Sequence, residues 1–140
     1  LDVHLIRYAQ VLLGYAEALN EMGETDKAVE QINKIRSRCG AQLLNSNTPT
    51  TVKGKDDMRE RIRNEYYWEL GGENVMYWNE LRWKTWKDKK FRNNKNGLSQ
   101  IWGTTTYTWY WLGDQCWTWP IPASEREKNS NLVQNAGWND

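Results

Sequence analysis

Three glutamates, Glu65, Glu69 and Glu73, repeat at intervals of four residues. On one continuous helix their carboxylates would line a single face at steps of roughly 6 Å. Paired carboxylates are the working parts of glycoside hydrolysis, where they serve as acid, base or nucleophile. Such carboxylates normally arrive from separate elements, however, and Arg61, Arg63 and Arg82 stand close enough in sequence to offer salt bridges. Ion pairing is therefore expected, the chain is read as no enzyme, and no catalytic residue is assigned. His4, the single histidine, has no serine or cysteine placed beside it to complete a triad. The two cysteines, Cys39 and Cys116, lack the paired spacing of a zinc or redox site, so no metal or cofactor is implied. Cys39 continues the stripe of Ala28, Ile32 and Ile35 and is expected to be a buried thiol. A bridge between Cys39 and Cys116 would depend on the fold bringing them together.

Aromatic chemistry is the other candidate. Residues 102–125 hold five of the ten tryptophans. A pyranose presents a CH-rich face that stacks on an aromatic ring, while planar amide, carboxylate or guanidinium groups reach its hydroxyls. The Gly113-Asp114 pair, flanked by β-favouring residues, predicts a hairpin with a two-residue turn in which Trp111 faces Cys116 and Trp109 faces Thr118. Alternation then puts Tyr110, Leu112, Trp117, Trp119 and Ile121 on one face and Tyr107, Trp109 and Trp111 on the other. The second set is the candidate ligand-binding face.

The run from Lys84 to Lys95 interleaves six basic residues with Trp83, Trp86 and Phe91, a pattern also used on single-stranded nucleic acid. A formal charge of only +1, from 19 basic and 18 acidic residues, supplies no field toward polyanions. Cations also sit favourably at a helix C-terminus, so a solvated loop is expected and nucleic acid is not.

The elements that must position these residues follow from periodicity. Leu5, Ala9, Leu12, Ala16 and Leu19 predict a helix over Leu5–Met22 that stops at Gly23. Thr25 caps a second helix, buried through Ala28, Ile32, Ile35 and Cys39 and ended by Gly40. The pair resembles a tetratricopeptide repeat, which cannot bury both faces by itself and offers a groove for a partner peptide. Residues 41–55 read as a polar loop. A third helix is predicted over Asp57–Leu70 with Asp56 as cap and Gly71-Gly72 as break, and a fourth over Asn74–Trp86. The 140 residues suit one domain, mainly α-helical within an α+β class. It divides into a helix pair at 1–40, a helical segment at 56–86, and a hairpin with an irregular C-terminal wrap at 98–140. Because the first residue is Leu1, the chain is read as a piece of something longer. No run of about 18 apolar residues predicts a spanning helix.

Three segments together resemble the C-terminal part of the SusD/RagB family, glycan-capturing lipoproteins of Bacteroidetes. In "LIRYAQVLLGYAEALNEMGETDKAVEQINKIRSRCG" the matching positions are Arg7, Tyr8, Glu17, Asn20, Asn33, Arg36 and Arg38. In "NEYYWELGGENVMYWNELRW" they are Glu65, Glu69, Leu70, Glu73, Arg82 and Trp83. There Tyr66, Asn74, Met76 and Asn79 replace the usual Arg, Gly, Arg and Asp, weakening whatever ion pairing those residues provide. In "WTWPIPASEREKNSNLVQNAGW" they are Trp119, Pro120, Ile121, Pro122, Glu125, Asn129, Leu132, Gln134, Asn135, Gly137 and Trp138, with Ser130 and Ala136 in place of prolines.

The resemblance implies a non-catalytic oligosaccharide-binding protein of an outer-membrane uptake system. It implies an extracellular location, a lipid anchor upstream of this piece, and a SusC-like TonB-dependent transporter as partner. It also implies that Trp119 and Ile121 are inward anchors, that this segment is chiefly scaffold, and that Tyr107, Trp109 and Trp111 are its candidate sugar contacts. A tetratricopeptide-like protein-interaction module, docking a peptide along Tyr8, Tyr15 and Leu19, is the alternative.

Overall fold

The computed structural model describes residues 5–91, 98–102 and 104–138, with backbone alone for 98–102. His4 and the end of the basic run lie outside the described residues. Two compact units divide the chain, Leu1–Met76 and Tyr77–Asp140.

The first unit is built on three helices, α1 (Tyr8–Glu21), α2 (Thr25–Arg38) and α3 (Lys55–Leu70), with α1 packed on both others. Having two neighbours, α1 buries more than the single predicted stripe: Leu13 and Asn20 join Ala9, Leu12, Ala16 and Leu19. Leu5, assigned to that stripe by its spacing, precedes the helix and is exposed. Gly23 ends α1 as expected. Its φ of +87° lets its own N–H reach the Asn20 carbonyl at 3.0 Å and the Glu24 N–H reach that of Leu19 at 2.9 Å. Thr25 does not cap α2. Its hydroxyl donates instead to the Asn20 side chain at 3.0 Å, while the Asn20 amide donates to the Lys55 carbonyl at 2.9 Å. One buried amide thus ties the end of α1 to the starts of α2 and α3.

Cys39 is exposed, contrary to its stripe, because the helix has already ended there. Both cysteines are free thiols. The predicted loop is polar but anchored. Asn33 donates to the Leu44 carbonyl at 3.2 Å and accepts from its N–H at 2.8 Å, which seats Leu44 in the core.

At its C-terminus α1 carries Glu21, the wrong sign for that end of a helix dipole. Arg59 at 2.6 Å and Lys55 at 3.3 Å offset this. The Arg59 hydrogen bond, reinforced by Lys55, holds the Glu21 carboxyl down at about 2. A depressed carboxylate contributes stability that is present above the unfolded value of 4.5 and lost as pH falls toward 2. Half-exposed, the pair is screened, so the loss stays below about 1 kcal/mol. The Glu21→Gln variant should show a correspondingly shallower fall in Tm between pH 5 and 2.5.

Helix α4 (Val75–Arg82) stops short of the predicted Trp86. Lys84 adopts a φ of +58°, so the Thr85 N–H turns back to the Glu80 carbonyl at 2.9 Å and closes the helix. One π-helical turn, Lys87–Phe91, follows. Strands β1 (Leu98–Trp102) and β2 (Thr105–Trp109) pair antiparallel, with Leu98 opposite Trp109 and Trp102 opposite Thr105.

The hairpin is therefore earlier than the sequence reading placed it. At Gly113-Asp114 the chain instead enters a 3-10 turn, Asp114–Trp117, with the Cys116 N–H on the Gly113 carbonyl at 3.0 Å. Gly113 precedes that turn with φ +136°, a region closed to other residues in practice. A short helix, α5 (Ala123–Lys128), leads to the closing segment. There Gln134 accepts from the Ile121 N–H at 2.8 Å and donates to its carbonyl at 3.1 Å, replacing a ladder strand for the Pro-Ile-Pro run. The Asn135 amide holds the Trp119 carbonyl at 2.6 Å, and the Trp138 indole N–H reaches the carbonyls of Gln115 and Thr118.

Candidate functional site

The three spaced carboxylates all meet guanidinium groups, though not those nearest in sequence. Glu65 is buried and receives Arg36 at 2.8 Å. Burial pushes its carboxyl above the ordinary range, and Arg36 opposes that shift. Glu69 takes Arg7 at 3.0 Å and Arg38 at 2.7 Å, while Glu73 takes Arg7 at 2.7 Å. The expected partners are engaged elsewhere: Arg61 with Asp57, Arg63 with Glu60, and Arg82 with the Asn79 amide oxygen. Helical spacing put Glu65 and Glu69 on one face of α3, Glu73 follows just beyond the helix end, and together they meet arginines from before α1 and from α2. The arrangement is an inter-helix ion-pair ladder.

The aromatic residues separate differently from the expected two faces. Tyr107 and Trp109 do share a face of β2, 49% and 45% exposed, with near-parallel rings whose centroids are 5.9 Å apart. Trp111 does not join them. It lies beyond the strand and is 6% exposed, packed on Trp117 at 4.5 Å and Phe91 at 5.8 Å. The predicted alternation fails there because the ladder ends at Trp109 and the backbone turns before Gly113. Tyr110 and Leu112, assigned inward, are exposed for the same reason. The signal that could have located the hairpin is Gly103-Thr104, also a two-residue turn pair, between "SQIW" and "TTYTW".

A second aromatic group was missed altogether. Trp78 is 61% exposed and Trp119 is 65% exposed, with ring planes 27° apart and centroids at 6.5 Å. The Trp119 indole N–H donates to the Tyr77 hydroxyl at 3.1 Å. Tyr77 is itself wedged edge-on between Trp78 at 5.0 Å and Trp86 at 4.9 Å. Trp119 is held, as its motif suggested, but its ring faces outward rather than into a core.

The basic run is partly used inside its own unit. The Lys84 ammonium lies 4.6 Å from the Trp117 ring centre and that of Lys90 5.7 Å from Trp86, both favourable cation–π placements. Lys90 also stands 3.9 Å from Glu80, a fully buried carboxylate with no hydrogen bond on either oxygen. Burial raises the Glu80 carboxyl, against the pull of Lys90 and Lys89. Among the described residues no group of three metal-ligating side chains occurs, and no helix is long and apolar enough to cross a membrane.

The model of the SusD family matches residues 2–138. The chain belongs to the SusD family. Two SusD-like proteins of Formosa agariphila are 36% identical over 102 residues and 37% over 81, covering 71% and 56% of this chain. A crystal structure of a SusD-like protein from Bacteroides fragilis aligns with 95% of this chain at 26% identity and a TM-score of 0.71. The chain spans 20% and 15% of the length of those two curated relatives and 25% of that solved chain.

SusD-family membership and the mainly helical fold agree with the sequence reading, and the structure supplies reasons for the motifs. Arg7, Arg36 and Arg38 of the first matching segment are the ion-pair partners of Glu65, Glu69 and Glu73 in the second. In the closing SusD-like segment, Gln134 holds the backbone of Ile121 within the Pro-Ile-Pro run, and Asn135 and Trp138 hold the backbone just before it.

Proposed function

We propose that the protein carrying this chain is a non-catalytic oligosaccharide-binding component of an outer-membrane uptake system. It acts at the extracellular face, held by a lipid anchor upstream and partnered by a SusC-like TonB-dependent transporter. Membership of the SusD family over nearly the whole chain carries this reading. Within it, the segment described here acts chiefly as scaffold. The ladder from Arg7, Arg36 and Arg38 to α3 and the Gln134 clamp supply rigidity, and Tyr107 with Trp109 offers one stacking face. Trp111, covered by Phe91 and Trp117, is not part of that face.

Titration of the whole protein with neutral oligosaccharides, followed by tryptophan fluorescence, tests the reading. Trp109→Ala should weaken binding about fivefold, the equivalent of roughly 1 kcal/mol for one stacked ring. A whole protein that responds to no glycan would sink it.

One observation favours the second reading, a protein-interaction module. Tyr8, Val11, Tyr15 and Met22 leave an exposed apolar stripe along α1, although Leu19, expected beside them, is buried. The readings part on Trp109→Ala, which leaves that stripe and any peptide bound there unchanged.

A further inference from the structure

We propose that Trp78 and Trp119 form a second stacking platform for neutral sugar rings, separate in sequence from Tyr107 and Trp109. The proposal rests on the glycan-binding reading above and adds a site to it. The two indoles come from distant segments, α4 and the Pro-Ile-Pro run, yet their planes lie within 27° of one another.

That alignment is constructed. The indole N–H of Trp119 is satisfied internally by the Tyr77 hydroxyl, Trp86 braces Tyr77 edge-on, and Asn135 holds the Trp119 carbonyl. A tryptophan fixed at both its ring nitrogen and its backbone loses little further freedom on binding, which lowers the entropic cost of stacking. Both residues are nonetheless more than half exposed, at 61% and 65%. Two large aromatics, Trp119 fixed by hydrogen bonds and Trp78 by its edge contact with Tyr77, and both left open, are an unusual use of tryptophan in a core and a fitting one for a flat, CH-rich ligand. Among the described residues, the charged group in contact with the Tyr77, Trp78, Trp86 and Trp119 rings is Lys90, which lies over Trp86. The chemistry thus favours an uncharged sugar over a uronate or a sulfated one.

The test uses the whole protein, with maltoheptaose, cellohexaose, xylohexaose and mannohexaose as probes. Oxidation by N-bromosuccinimide, mapped by mass spectrometry, reads the accessibility of each tryptophan with and without sugar. The expected result is that Trp78 and Trp119 react in the free protein and are protected by a bound oligosaccharide. Trp78→Ala and Trp119→Ala should each weaken binding about fivefold, while Trp119→Phe, which keeps a stacking ring, should lose less.

Trp78 and Trp119 unreactive in the free protein would mean that another part of the polypeptide covers them, and would overturn the proposal. Sugar binding without their protection would overturn it too while leaving the glycan-binding reading intact. Failure of every probe to bind would remove both.

Discussion

Replacing Arg36 by methionine should destabilise the chain by about 3–5 kcal/mol, because it leaves the Glu65 carboxylate buried with no countercharge. Arg36 donates to Glu65 twice, at 2.9 Å through Nε and 2.8 Å through Nη2, and also to the Gln42 carbonyl at 2.8 Å. The variant therefore loosens the entry to the polar loop along with the α2–α3 contact. The double variant Arg36→Met/Glu65→Met should recover most of the loss, since an apolar pair of similar volume avoids burying any charge.

The pH dependence separates this account from a simple packing defect. Burial already raises the Glu65 carboxyl in the folded protein, and removing Arg36 raises it further. A carboxyl raised on folding contributes fully below the unfolded value of 4.5 and loses that contribution as pH climbs through its folded value. The deficit of Arg36→Met should thus be largest at neutral pH and shrink as pH falls toward 4.5. Urea denaturation at both pH values reads it, and an equal deficit at the two would contradict the buried-charge explanation.

The second large effect is expected at Leu13. Its side chain has no exposed surface, like Ala16 and Ile32, and it lies on the helix that contacts both others. Leu13→Ala should cost about 2–5 kcal/mol, the loss of apolar transfer plus the cavity left behind. Tyr8→Ala, one turn away but on the exposed side of α1, should change stability by less than about 0.5 kcal/mol. The contrast in urea midpoints, with unchanged slope, measures which sides of α1 are core. Comparable losses at the two positions would refute that assignment.

These residues also show where sequence reading succeeds and stops. Periodicity located α1, α2 and α3 to within a few residues, because one helix face pressed on one neighbour leaves a 3.6-residue record. Leu13 escaped that record because α1 has two neighbours. The stop at Gly23 was legible for a local reason, a glycine that alone adopts the required turn cheaply. The stop at Lys84 was not, since nothing in a lysine announces a positive φ.

What the sequence by itself determined is the family, the helical framework and the chemical types present: carboxylates in helical register, arginines in two other segments, and aromatics in quantity. Those depend on local pattern and residue identity. Tertiary structure alone decided which arginine meets which glutamate, that Trp111 is covered while Trp109 is open, and that Trp78 finds Trp119. The reason is physical. Arg36 and Glu65 are 29 residues apart, and Tyr77 and Trp119 are 42 apart. At such separations partners are chosen by how helices and turns pack, which no local spacing encodes.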